Sequence, residues 1–215
     1  MQLEESGQKA LKIQNKRFIY LISPNRIANY NFYTTLDRIF STKKVKYFQL
    51  RLKKESFVNK VIIAKKILKI CKKYKVKLLI NDDPYLALKI NADGCHLGQN
   101  DMDIIDAKKI LKKKIIGITC HNSVKLTKKA FLNKANYIAI GAFNKSKTKR
   151  VKHIANLNTL KKIKKFIKIP IVVIGGINDK NYKKLLLNNA DFLAISSYIW
   201  NNNNYKPYQA IKNFL

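Results

Sequence analysis

Carboxylates are in short supply in this 215-residue chain: 12 Asp and Glu stand against 45 Lys and Arg, a formal net charge of +33. Arginine is scarce as well, with only Arg17, Arg26, Arg38, Arg51 and Arg150 among the cations. Base and phosphate readers favour arginine's planar fork, so few arginines and lysines spread over almost every expected helix argue against a nucleic-acid-binding protein. Lys, Asn, Ile, Tyr and Phe share A/T-rich codons, and a biased genome accounts for the set. The lysines then read as solvated helix faces that attract anionic small molecules as a side effect. Cysteine is limited to Cys71, Cys95 and Cys120, an odd number without paired spacing, which excludes a disulfide framework and a paired-Cys zinc site. No run of about 18 uncharged apolar residues occurs, so no membrane-spanning helix is expected. The start, Met1-Gln2-Leu3-Glu4-Glu5, is acidic and lacks the basic head and apolar core of a secretory signal. A cytoplasmic protein with reduced thiols is the expectation.

What is present is core-forming residue, 47% of the chain, arranged in alternation. Short apolar runs at Phe18–Ile22, Val45–Leu50, Lys77–Ile80, Gly94–Leu97, Ile115–Ile118, Tyr137–Ile140, Ile171–Ile174 and Phe192–Ile195 read as eight strands. Between them lie stretches of helical period, such as Val58–Tyr74 with Val61, Ala64, Ile67, Leu68 and Cys71 on one face. Strict β–α alternation implies a parallel sheet, and eight repeats imply closure into a single-domain (β/α)8 barrel over residues 17–215. Residues 1–16 read as an N-terminal extension. An open doubly wound sheet fits less well, because Ser23-Pro24-Asn25-Arg26 after the first strand holds no glycine.

In such a barrel the reacting groups stand at the C-terminal strand ends, with phosphate often bound after strands seven and eight. Two of the rare carboxylates, Asp82 and Asp101, follow strands three and four. They suit a divalent cation, since Mg2+ on a substrate phosphate needs only one or two protein carboxylates; the alternative is that they cap the next helices. Alternation along strand two puts Gln49, Arg51 and Lys53 on one face and Phe48, Leu50 and Leu52 on the other, so an amide and two cations meet the mouth, suited to a diphosphate. His96, between Cys95 and Leu97, reads as a packed core histidine. Thr119 places a hydroxyl at the end of strand five, whereas the adjacent Cys120 and His121 diverge and make a poor nucleophile pair. After strand six, the hydroxyls and lysines of Asn144–Lys149 suit a phosphate-gripping lid, and an ordinary basic loop is the alternative. Gly175-Gly176 after strand seven and Ser196-Ser197 after strand eight together suggest a phosphate cup.

These segments resemble the thiamine phosphate synthase family in order and content. The matching set is Gln49-Leu50-Arg51-x-Lys53, Ile80-Asn81-Asp82, Ala92-Asp93-Gly94-Cys95-His96-Leu97-Gly98-Gln99-x-Asp101-Met102, Gly117-Ile118-Thr119-x-His121, Thr148-Lys149, Ile174-Gly175-Gly176-Ile177, and Ala190-Asp191 through Ser197. The resemblance spans about residues 18–200. It implies an enzyme, a transferase that joins a hydroxymethylpyrimidine diphosphate to a thiazole phosphate with release of diphosphate. By position, Gln49, Arg51, Lys53, Asn81 and Lys149 would hold the pyrimidine diphosphate, with Arg51, Lys53 and Lys149 assisting its departure. Asp82 and Asp101 would hold Mg2+. Thr119 stands where the family has a pyrimidine-contacting Ser, and Ser146, Lys147, Thr148, Gly176, Ser196 and Ser197 would take the thiazole phosphate. The chain departs from the family loop by lacking both of its prolines, and Leu52 replaces an acidic residue. Two rivals remain beside this reading: a thiazole tautomerase of the same barrel group, and a non-catalytic basic phosphate- or nucleic-acid-binding protein. No specific nucleic acid and no membrane are implied as partners, and a homo-oligomer is compatible.

Overall fold

Each apolar run is too short for a helix and is rich in Ile, Val, Leu and Tyr, so it forms a strand; the longer amphipathic runs between them form helices. The computed structural model describes residues 17–27, 31–144 and 154–214. Its strands are β1 (Ile19–Ile22), β2 (Val45–Leu50), β3 (Lys77–Asn81), β4 (Gly94–Leu97), β5 (Ile115–His121), β6 (Tyr137–Gly141), β7 (Ile171–Ile174) and β8 (Phe192–Ile195). All pair in parallel, in chain order, and β8 pairs back with β1 to close the barrel.

The helices described are α1 (Asn31–Ser41), α2 (Phe57–Lys73), α3 (Pro84–Lys89), α4 (Ile104–Leu111), α5 (Val124–Leu132), α6 (Leu157–Lys164), α7 (Tyr182–Leu187), α8 (Ser197–Trp200) and α9 (Pro207–Lys212). In α2 the expected stripe turns inward: Ala64, Ile67 and Cys71 are buried, and Val61 and Leu68 pack against the same core. Asp103 and Ser123 sit just outside α4 and α5 and accept from backbone N–H groups of Ile105 and Leu126. Such caps stabilise each helix by about 1 kcal/mol.

Two cores result. The larger lies between strands and helices; the smaller fills the barrel with Tyr20, Ile22, Leu79, Tyr137, Ala139, Val172, Phe192 and Ala194. At the N-terminal ends of the strands, three side chains stitch neighbours together. Asp93, Asn136 and Asp191 accept from the backbone N–H groups of Leu78, Ile116 and Ile171 at 2.9 Å. The motif residues Asp93 and Asp191 are therefore fold anchors on the face opposite the mouth. Residues 1–16 lie outside the described residues.

Candidate active site

The two carboxylates at the mouth are not helix caps. Asp83 caps α3, accepting from Leu86 N–H at 2.8 Å, and Asp103 caps α4. That leaves Asp82 and Asp101 for another task. Asp82 N–H donates to the His96 carbonyl at 2.8 Å and the residue sits at φ 64°, a left-handed conformation Asp tolerates better than most residues. This turn swings its side chain toward Asp101 instead of into the following helix. Asp101 is fixed from behind by Gly98 N–H at 2.6 Å. Burial and the neighbouring Asp101 hold the Asp82 carboxyl above the usual carboxylate range, partly offset by Lys53. Lys53 Nζ stands 3.5 Å from Asp82 Oδ2. An open cavity of about 390 Å³ adjoins Asp82, bordered also by Lys53, Lys60, Asn81, Met102 and, at the start of α3, Tyr85.

Strand two delivers its polar face as expected. Phe48, Leu50 and Leu52 join the outer core, while Gln49, only 3% exposed, alternates with them toward the barrel interior. Arg51 extends past the strand end, its N–H held by Ser23 Oγ at 2.9 Å and its guanidinium donating to Asn25 Oδ1 at 2.5 Å. Asn81 ends β3 in register with His96.

His96 is the packed histidine expected, stacked on the Tyr137 ring, and it is also hydrogen-bonded. It is buried, yet both ring nitrogens are engaged: Nδ1 with the Tyr137 hydroxyl and Nε2 with the Thr119 hydroxyl, each at 2.8 Å. Burial pushes its pKa down to about 4, with Asp101 acting weakly in the other direction. The Tyr137 hydroxyl meets Tyr20 at 2.8 Å. Space for the Tyr137 ring comes from Gly117, where a Cβ would fall 1.8 Å from Tyr137 Cζ. Gln99 adds a second hold, its amide donating to the Thr119 carbonyl. Beyond Thr119 the pairing slips by one residue, a bulge that buries Cys120 and turns His121 to φ 51°. Burial pushes the Cys120 thiol up to about 12, which leaves it protonated and unsuited to attack.

Strand seven ends in Gly175 (φ 109°) and Gly176 (φ 57°), and a Cβ on Gly175 would strike the Ala142 Cβ at 2.5 Å. Ser196 and Ser197 open α8, with Ser196 Oγ 3.4 Å from the Ser23 carbonyl, so strands eight and one share this rim. Ser146, Lys147, Thr148 and Lys149, and with them the expected lid, lie outside the described residues. Sequence reasoning gave no role of their own to Asn25 and Gln99 and passed over Tyr20 and Tyr137. The available signals were the inward phase of both tyrosines on their strands and a glycine opposite one of them.

Comparison with known proteins follows the same lines. A family model described as thiamine monophosphate synthase matches residues 19–199. A thiamine-phosphate synthase of Pelagibacter ubique is 65% identical over 198 residues, 92% of this chain and 96% of that protein. One from Clostridium acetobutylicum is 42% identical over 152 residues, 70% of this chain and 72% of the relative. Among solved structures, thiamine phosphate pyrophosphorylase from Pyrococcus furiosus superposes with a TM-score of 0.82 at 26% identity, over 94% and 95% of the two chains. A 3-hexulose-6-phosphate synthase, at 14% identity and TM-score 0.66 over 91% and 98%, shares the fold alone.

Proposed function

The chain belongs to the thiamine monophosphate synthase family, and with it to the transferases that make thiamine phosphate; on that premise we propose that it couples hydroxymethylpyrimidine diphosphate to thiazole phosphate with the help of Mg2+. The observation that carries the proposal is the pair Asp82 and Asp101, freed from capping by Asp83 and Asp103, with Asp82 beside Lys53 at the edge of an open cavity. These residues fit Mg2+: two hard oxygen ligands approach each other against their own repulsion, and diphosphate oxygens would complete the coordination. Among the described residues no group of three or more His, Cys, Asp or Glu is placed to hold a metal. When bound, Mg2+ would neutralise charge on the departing diphosphate.

The protein's own groups then divide the work. Gln49 and Asn81 orient the pyrimidine diphosphate, and Thr119 meets its ring. Arg51, Lys53 and Lys149 neutralise the diphosphate as the C–O bond breaks and its electron pair leaves with oxygen. The electron-rich aminopyrimidine shares the positive charge on its methylene carbon. The lone pair of the thiazole nitrogen then forms the new C–N bond. Ser146, Lys147, Thr148, Gly176, Ser196 and Ser197 hold the thiazole phosphate. No protein nucleophile is needed, in keeping with the protonated Cys120. We assign the barrel to residues 17–215 and place the enzyme in the cytoplasm, and no helix of the described residues is long and apolar enough to cross a membrane. Incubation with both substrates and Mg2+ tests the proposal: release of diphosphate with thiamine phosphate is expected. Isomerisation of thiazole without pyrimidine would favour a tautomerase instead, and DNA binding without either reaction would favour a basic binding protein.

A further inference from the structure

The hydrogen-bond chain through the barrel interior has a direction, and the direction decides what Thr119 offers to substrate. Four groups stand in line: Tyr20 Oη, Tyr137 Oη, the His96 ring and Thr119 Oγ1, with 2.8 Å at each of three contacts. Tyr20 is 2% exposed and its hydroxyl has no other hydrogen-bond partner among the described residues. Suppose the chain ran inward, with Thr119 donating to Nε2 and Nδ1–H donating to Tyr137. Tyr137 would then donate to Tyr20, leaving the Tyr20 proton buried without an acceptor. A cationic ring leaves the same proton stranded. A buried donor without a partner forfeits its full solvation. Running outward strands nothing: Tyr20 donates to Tyr137, Tyr137 to Nδ1, and Nε2–H to Thr119.

We infer that Tyr137 and His96 are positioning residues that hold His96 as the Nε2–H tautomer and turn the Thr119 hydroxyl proton toward the barrel mouth, making Thr119 a hydrogen-bond donor to an acceptor nitrogen of the pyrimidine ring. Thr119 is half-buried, and among the described residues its hydroxyl has no acceptor, so the proton is available. Gln99 also donates to the Thr119 backbone carbonyl, so the segment His96-Leu97-Gly98-Gln99 grips one residue twice. The ring-facing role rests on the proposed function; the tautomer does not.

The experiment has two arms. Nitrogen-15 NMR of the substrate-free protein, with the His96 signals assigned by their loss in His96→Gln, reads the tautomer directly. A protonated Nε2 with a bare Nδ1 is expected; a protonated Nδ1 or an imidazolium overturns the inference whatever the enzyme does. Kinetics form the second arm. Tyr137→Phe removes the donor to Nδ1 and so the bias between tautomers. It should raise the KM for the pyrimidine diphosphate about tenfold, equivalent to about 1.4 kcal/mol, and leave the KM for thiazole phosphate unchanged. His96→Gln, whose amide can still donate to Thr119, should retain more pyrimidine affinity than His96→Leu. Equal effects of Tyr137→Phe on both substrates, or equal loss in His96→Gln and His96→Leu, refutes the positioning role. If the tautomer is as stated and neither substrate reacts, the proposed function fails while the chain's direction stands.

Discussion

Exchanging adjacent aspartates separates stability from chemistry at the end of β3. Asp83 caps α3 through Leu86 N–H at 2.8 Å. Asp83→Ala removes that bond and lowers stability by about 1 kcal/mol. In a chain of this size that is a Tm lower by roughly 2–4 °C, with turnover largely intact. Asp82→Asn acts in the opposite sense. Asn tolerates the left-handed backbone that Asp82 adopts at φ 64°, so no new strain enters. One of two facing carboxylates becomes an amide able to donate to Asp101, and the penalty that burial and Asp101 place on the charged form disappears. The fold should be as stable as the natural chain or more so, while activity falls by orders of magnitude. Functional groups held against their own repulsion behave in this way. Differential scanning calorimetry and a diphosphate-release assay on the two variants read both quantities. Near-normal turnover in Asp82→Asn, or a Tm loss matching that of Asp83→Ala, would refute the division and return Asp82 to a structural part.

Mg2+ itself should stabilise the natural protein: at a hundred times its dissociation constant, binding adds about 2.7 kcal/mol. That corresponds to a Tm rise of roughly 5–11 °C, abolished in Asp82→Asn and measurable by thermal shift with and without chelator. Arg51→Ala should raise the KM for the pyrimidine diphosphate or reduce kcat while barely altering thiazole phosphate binding, which calorimetry on each substrate separates. Gly117→Ala places a methyl 1.8 Å from Tyr137 Cζ, so overpacking should destabilise the barrel by about 1–3 kcal/mol. Chemical denaturation measures the loss, which should be smaller when Gly117→Ala is introduced into a Tyr137→Ala chain than into the natural one.

The barrel was legible because its signal is repeated. Eight apolar runs at regular intervals survive errors of a residue at each boundary, such as the shift of the expected Val58–Tyr74 to Phe57–Lys73. The site was legible in a different sense: position at a strand's C-terminal end marked Gln49, Arg51, Asp82, Asp101 and Thr119 as candidates, but did not say what each one touches. Asp82 and Asp83 are identical in type and adjacent, and both follow β3. Only the backbone turn at Asp82 separates a carboxylate aimed across the mouth from one folded onto a helix. His96 was obscure for a related reason. Its neighbours Cys95 and Leu97 are apolar and face the outer core, while its partners stand 23 and 41 positions away on β5 and β6. Strand alternation already placed Tyr20, Tyr137 and Thr119 in the inward phase, and Gly117 left the gap that one ring needs. An inward polar residue on a barrel strand therefore calls for a count of hydroxyls and small residues on the flanking strands before it is read as packing. In this chain that count turns an isolated histidine into the middle of a directed chain, and turns a hydroxyl at the mouth into a donor with one orientation.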